Sequence, residues 1–148
     1  MTPQEMFNKG FLGVVKQGKP AYVFGSHPKT GYIGANCAYR VESEPDTKCA
    51  VGHIIDGLIP ENSPIWYLNG GIDEIRDREA RFEEGLEGLE FLENYKDFAL
   101  AQEMQLCHDS GAERYHRTKD SKEFIENYTD EMTELAESYG LEMPVLPN

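Results

Sequence analysis

Asn36-Cys-Ala-Tyr-Arg-Val41, then a polar run from Glu42 to Thr47, then Lys48-Cys-Ala-Val-Gly52, is the stretch on which the fold turns. Two short apolar segments flank a turn built from Glu, Ser, Pro, Asp and Thr, which is the pattern of a β-hairpin. If Val41 faces Thr47, then Cys37, Tyr39, Val41, Cys49 and Val51 share one face, and Arg40 and Lys48 take the other. A slip of one residue would send the two cysteines to opposite faces. The first register is expected because it gathers the apolar groups on one side.

Upstream, Ala21 to Phe24 is apolar and aromatic and reads as a strand that runs into a Gly-, Ser-, His- and Pro-rich loop, Gly25 to Gly31. Before it lies a helix with a full set of end signals. Thr2 is an N-cap, Pro3 suits the first helical position, and Glu5 completes a capping box. Phe7, Phe11, Val14 and Val15 recur at helical spacing, Gly18 closes the helix, and Pro20 forbids its return.

Downstream, Gly52 to Pro60 reads either as a strand end or as a short helix, and Ile65-Trp-Tyr-Leu68 as an apolar knot. Residues 72–98 are helical in composition, broken by Gly85 and Gly88. A further piece from about Asp97 to Asp109 carries Leu100, Met104, Cys107 and His108 on one stripe, with Gly111 as its expected end. Asp120 with Glu123 opens the last helix, whose inner face is Ile125, Tyr128, Met132, Leu135, Ala136 and Tyr139 and whose stop is Gly140. The expectation is an α+β fold: an N-terminal helix and two to three further helices packed on a small antiparallel sheet that contains the 36–52 hairpin. Residues 1–148 form a single domain, with an acidic helical insertion at about 72–90.

Charge is distributed unevenly. Residues 1–41 hold one acid, Glu5, against five bases, while the remainder has 26 acids against 9 bases, for −13 in total. Such an excess repels nucleic acid and anionic membranes and steers the chain toward basic surfaces. The plainer reading is a solvated surface. Three cysteines, no secretory leader and no apolar run near the ~20 residues of a membrane helix make a cytoplasmic protein with reduced thiols the expectation.

Three groups of residues have the types that chemistry or binding needs. Cys37 or Cys49 with His108 supplies the nucleophile and base of a cysteine hydrolase or transferase. Asp109 is the immediate helical neighbour of His108, and adjacent side chains diverge by about 100°, so another acid would have to orient the imidazole. The alternative is that both cysteines are small core hydrophobes. Cys37, Cys49, His53 and His108 match a zinc ligand set in type. They do not match it in spacing, since neither Cys-x-x-Cys nor His-x3-His occurs, so no metal or cofactor is expected. Tyr39, Arg40, Tyr32 and Lys29 form an aromatic and basic patch suited to a nucleotide-like anion, or else a cross-strand aromatic packed in the core. Finally, Glu83, Glu87 and Glu90 fall on one helical face, and Glu93 and Asp97 extend the acidic row toward a basic partner.

Cys37-Ala-Tyr-Arg40, a polar turn, Lys48-Cys-Ala-Val-Gly-His-Ile-Ile55 and Leu58-Ile-Pro60 together resemble a group of small tailed-phage proteins of unassigned function. The opening Met-Thr-Pro-Gln-Glu-Met-Phe helix, Met104-Gln-Leu-Cys-His-Asp109 and the closing Tyr-Gly-Leu141 are similar to theirs as well. The likeness departs from their pattern at Ile55-Asp-Gly57 and in the acidic segment. It implies a phage origin and a domain of this plan, and it assigns no activity. With the charge, it leads to the expectation of a non-enzymatic phage accessory protein in the infected host's cytoplasm. Such a protein binds and inhibits a host factor with a basic surface, a nucleic-acid-handling or defence protein. The alternatives are a sponge for a small anionic signal and the cysteine hydrolase.

Overall fold

The computed structural model describes residues 1–26, 31, 33–67 and 94–146. The first helix, α1 (Pro3–Gln17), begins as its sequence dictates. The Thr2 hydroxyl accepts from the Glu5 N–H, and the Glu5 carboxylate accepts from the Thr2 N–H. It ends at Gly18, whose φ of 80° is left-handed backbone that a glycine enters without cost. Met6, Phe7, Phe11 and Val14 are buried, while Val15 is only partly so.

Two strands follow, β1 (Tyr22–Ser26) and β2 (Ile33–Cys37), paired antiparallel with Tyr22 opposite Cys37 and Ser26 opposite Ile33. The fold is α+β with a small antiparallel sheet, and the sheet's hairpin lies one segment earlier than expected. Asn36 and Cys37 spend their pairing on β1. The half expected as a second strand, Lys48 to Gly52, instead turns into α2 (Ala50–Ile55). The reason lies in its spacing: Ala50, Val51, Ile54 and Ile55 fall on one helical face, and all four are buried. Part of the expected register survives in the turn, because Val41 N–H donates to Thr47 O at 2.9 Å and Cys49 N–H to Ala38 O at 3.1 Å.

A 3-10 turn (Pro64–Tyr67) follows α2 and inserts Trp66 into the core, its indole N–H donating to Pro60 O. The helices α3 (Tyr95–Thr118) and α4 (Ser121–Ser138) then pack as an antiparallel pair. Gly111 does not end α3. A Cβ there would meet the Phe124 ring at 2.7 Å, so this glycine marks the close crossing of α3 and α4. Asp120 caps α4 by accepting from Glu123 N–H. The inner face of α4 is Phe124, Tyr128, Met132, Leu135 and Ala136, with Ile125 and Tyr139 at its margins.

The core joins all four described helices. Phe7, Phe11, Tyr128 and Phe124 stack as a near-parallel column with centroids 5.7–6.1 Å apart. Tyr128 is buried there, and among the described residues its hydroxyl has no hydrogen-bond partner. Burial pushes its pKa well above the ordinary tyrosine value. An orphaned buried hydroxyl opposes folding. Tyr128→Phe is therefore expected to raise stability by about 1 kcal/mol in urea denaturation, and a loss of stability would mean the hydroxyl is satisfied. Among the described residues no helix is long and apolar enough to cross a membrane.

Candidate functional site

Cys37 closes β2 and Cys49 is the N-cap of α2, its sulfur accepting from Gly52 N–H at 3.4 Å. The Cys37 and Cys49 sulfurs lie 3.1 Å apart and both are buried, although the hairpin expected to put them on one face is replaced by the β1–β2 pair and α2. His108 projects from α3 into the core and is fully buried. Its Nε2 accepts from the Ala21 N–H at 3.0 Å, so the ring proton sits on Nδ1 and is donated to Asp109 Oδ1 at 2.9 Å. Gln105 completes the unit, donating to Asp109 Oδ1 at 2.8 Å and accepting from Val51 N–H at 3.3 Å.

Both nitrogens of His108 are thus engaged: the neutral ring ties α3 to the residue before β1, and Gln105, through the shared Asp109 carboxylate, ties the unit to α2. Nothing is left on it to take a thiol proton, so the arrangement expected of a cysteine hydrolase is not assembled. Asp109 does orient this imidazole, contrary to the argument from helical divergence. The two side chains fold toward one another, and Gln105, one turn earlier, holds the carboxylate in place. His53 points elsewhere, its Nε2 3.0 Å from Gln17 Oε1. Among the described residues no three His, Cys, Asp or Glu side chains converge as metal ligands.

The expected anion patch is also dispersed. Tyr39 is fully buried. Arg40 lies over the Trp66 ring at 4.8 Å and is held by the Glu61 carboxylate at 3.3 Å and the Glu61 carbonyl at 3.0 Å. Lys29 and Tyr32 lie outside the described residues. A different cleft of about 230 Å3, between the start of β1, the 41–47 turn and the end of α3, brings Lys19, Tyr22, Tyr115 and Lys119 together. There Lys19 pairs with Glu44, and Lys119 donates to the Tyr22 hydroxyl at 3.0 Å. No sequence pattern links residues so far apart.

Of the acidic row, Glu83, Glu87, Glu90 and Glu93 lie outside the described residues, and Asp97 sits in the first turn of α3. A second acidic surface was not anticipated. Glu103, Leu106 and Cys107 of α3 face Glu131, Glu134, Leu135 and Ser138 of α4 across an open groove of about 380 Å3. Leu106 is 62% exposed, a large apolar side chain among carboxylates. The negative field here is visible in the groups around it. Burial and then the neighbouring Glu134 raise the Glu131 pKa. Burial, followed by Glu131 and Glu103, pushes the Cys107 thiol up to about 12. Cys107 is therefore a thiol at neutral pH and a poor nucleophile. The outer side of α4 continues the charge with exposed Glu126, Asp130 and Glu137. This groove is visible only once the azimuths of α3 and α4 are known.

Comparison with protein-family models, with curated proteins and with solved structures finds no match to this chain.

Proposed function

We propose that this chain is a phage accessory protein that docks onto a basic surface of a host protein through the acidic groove between α3 and α4, and so inhibits it. One observation carries the reading: Glu103, Glu131 and Glu134 surround the exposed Leu106, so a cationic segment with one apolar side chain fits both charge and floor. Three carboxylates by themselves would only solvate a helix pair, and the apolar floor is what makes a docked segment favourable. The −13 net charge adds long-range attraction to the same partner and repulsion from polyanions. Proteins that handle nucleic acid present such cationic surfaces to phosphates, and an acidic face competes for them. The likeness to tailed-phage proteins supports the phage origin and the host as the source of the partner.

The test uses a fluorescent helical peptide with lysines along one face and leucine at one central position, titrated by anisotropy. Saturable binding is expected, falling steeply between low and high salt. The triple reversal Glu103→Lys, Glu131→Lys, Glu134→Lys should weaken it by about tenfold or more. The same reversal at Glu83, Glu87 and Glu90 extends the test to the acidic row. Binding that ignores the groove reversal, or that does not respond to salt, would refute docking at this groove. Pull-down from host lysate with the wild-type chain and the groove variant then asks whether a specific basic protein is lost along with the peptide.

A further inference from the structure

We infer that Cys37 and Cys49 are a dithiol pair built to close into an internal disulfide. Their sulfurs are in contact at 3.1 Å, and a disulfide bond of about 2.05 Å requires each to move by only about half an ångström. The backbone on either side is already held in place. Cys37 is registered opposite Tyr22 in the sheet, Ala38 N–H donates to Ala21 O at 3.2 Å, and Cys49 N–H donates to Ala38 O at 3.1 Å. Closure therefore starts from sulfurs already in contact on two segments whose backbones are hydrogen-bonded to one another. The bond would join the end of β2 to the N-cap of α2 and seal the exposed turn at residues 42–46 into a covalent loop.

Access sets the rate. Cys37 is 2% exposed and Cys49 is fully buried, so an oxidant reaches them only when the 38–49 segment opens. The oxidant is a small-molecule disulfide of the glutathione type. One cysteine gives its proton to water, and its thiolate attacks a sulfur of the oxidant. A mixed disulfide forms and one small thiolate leaves. The second cysteine, likewise deprotonated, then attacks the protein sulfur, the 37–49 bond forms and the second small thiolate departs. Two protein thiols lose two electrons and two protons, and the oxidant becomes two thiols. Cys107 serves as an internal control, since it sits in the α3–α4 groove among carboxylates that disfavour its thiolate.

The experiment equilibrates the native wild-type chain in glutathione buffers from reducing to oxidising, blocks remaining thiols by alkylation, and maps the peptides by mass spectrometry. A parallel sample is oxidised in urea. The expected native product is a monomer with a single 37–49 linkage and alkylated Cys107, whereas the unfolded chain yields a mixture of pairs. Its melting temperature should rise by about 5 °C and return on reduction, because a 12-residue separation is tied off. Three alkylated cysteines at every poise, or a native map that matches the urea mixture, would overturn the inference. The wild-type readout needs no variant, so a poorly folding Cys37→Ala chain would not obscure the result.

Discussion

Gly52→Ala is expected to destabilise the fold by about 3 kcal/mol, although alanine is the better helix former by about 1 kcal/mol. A Cβ at this position would lie 2.1 Å from the Tyr39 carbonyl oxygen and 2.9 Å from the Lys48 Cβ. The first obstacle is backbone, which has no rotamer to escape into. It belongs to the segment that Cys49 N–H and Val41 N–H fix through Ala38 and Thr47. To admit the methyl group, α2 must lift from that segment, and Val51, Ile54 and Ile55 would lose packing with it. Gly57→Ala is the comparison, since its φ of 82° is strained for alanine but no atom lies within 4 Å of the added carbon, so about 1 kcal/mol is expected. Urea denaturation at an unchanged m-value measures both. A Gly52→Ala chain as stable as wild type would mean that α2 does not approach Tyr39 this closely.

The same contact explains why residues 48–52 carry a strand-like pattern yet fold as the start of α2. Lys-Cys-Ala-Val-Gly offers too few residues for a helical period to show, and its small and β-branched members suit a strand equally well. What decides is tertiary: β2 already has a partner in β1, and a glycine lets α2 sit against the Tyr39 backbone. Gly111 deceived for a related reason, because a glycine that permits a helix crossing looks in sequence like one that ends a helix. Where end chemistry is local the outcome was legible: Thr2 with Glu5, Gly18, and Asp120 with Glu123 all act as their spacing implies.

Legibility of the candidate site divides along the same line. The closure of the turn by Val41 and Thr47 is a short-range property and is legible, whereas Cys37 and Cys49 meet between a strand end and a helix N-cap that the sequence pattern does not announce. The fate of His108 is not legible either. Its deciding partner is the Ala21 N–H, 87 residues away, and no pattern in the sequence announces a backbone donor left over at the start of a strand. Glu103, Glu131 and Glu134 looked like ordinary solvated helix residues until α3 and α4 were set side by side.

His53 provides the pH dependence. Burial first, then the nearby Lys48 charge, hold its pKa down to about 4, with Asp56 opposing. The ring is wedged between α1 and α2, filling the space that Gly13 leaves, with Nε2 on Gln17 Oε1. In the unfolded chain the same group titrates near 6.5. Above that pH both states are neutral and nothing is lost. As pH falls below 6.5 the unfolded chain takes up a proton that the folded one refuses, so stability declines until the folded ring itself titrates near 4. The decline from this residue should reach about 2 kcal/mol at pH 5 and about 3 kcal/mol at pH 4. Carboxylates overlap the lower part of this window. Glu5 and Glu44, lowered by hydrogen bonds from Thr2 and Lys19, add to the loss, while Glu131, raised by burial, works against it. His53→Gln isolates the imidazole by keeping a donor for Gln17 without a titrating proton. Urea midpoints at pH 7, 5 and 4 should converge for wild type and variant as acid is added, because only wild type carries the His53 penalty. Parallel pH profiles for the two chains would mean that His53 is solvated and accepts its proton in the folded state.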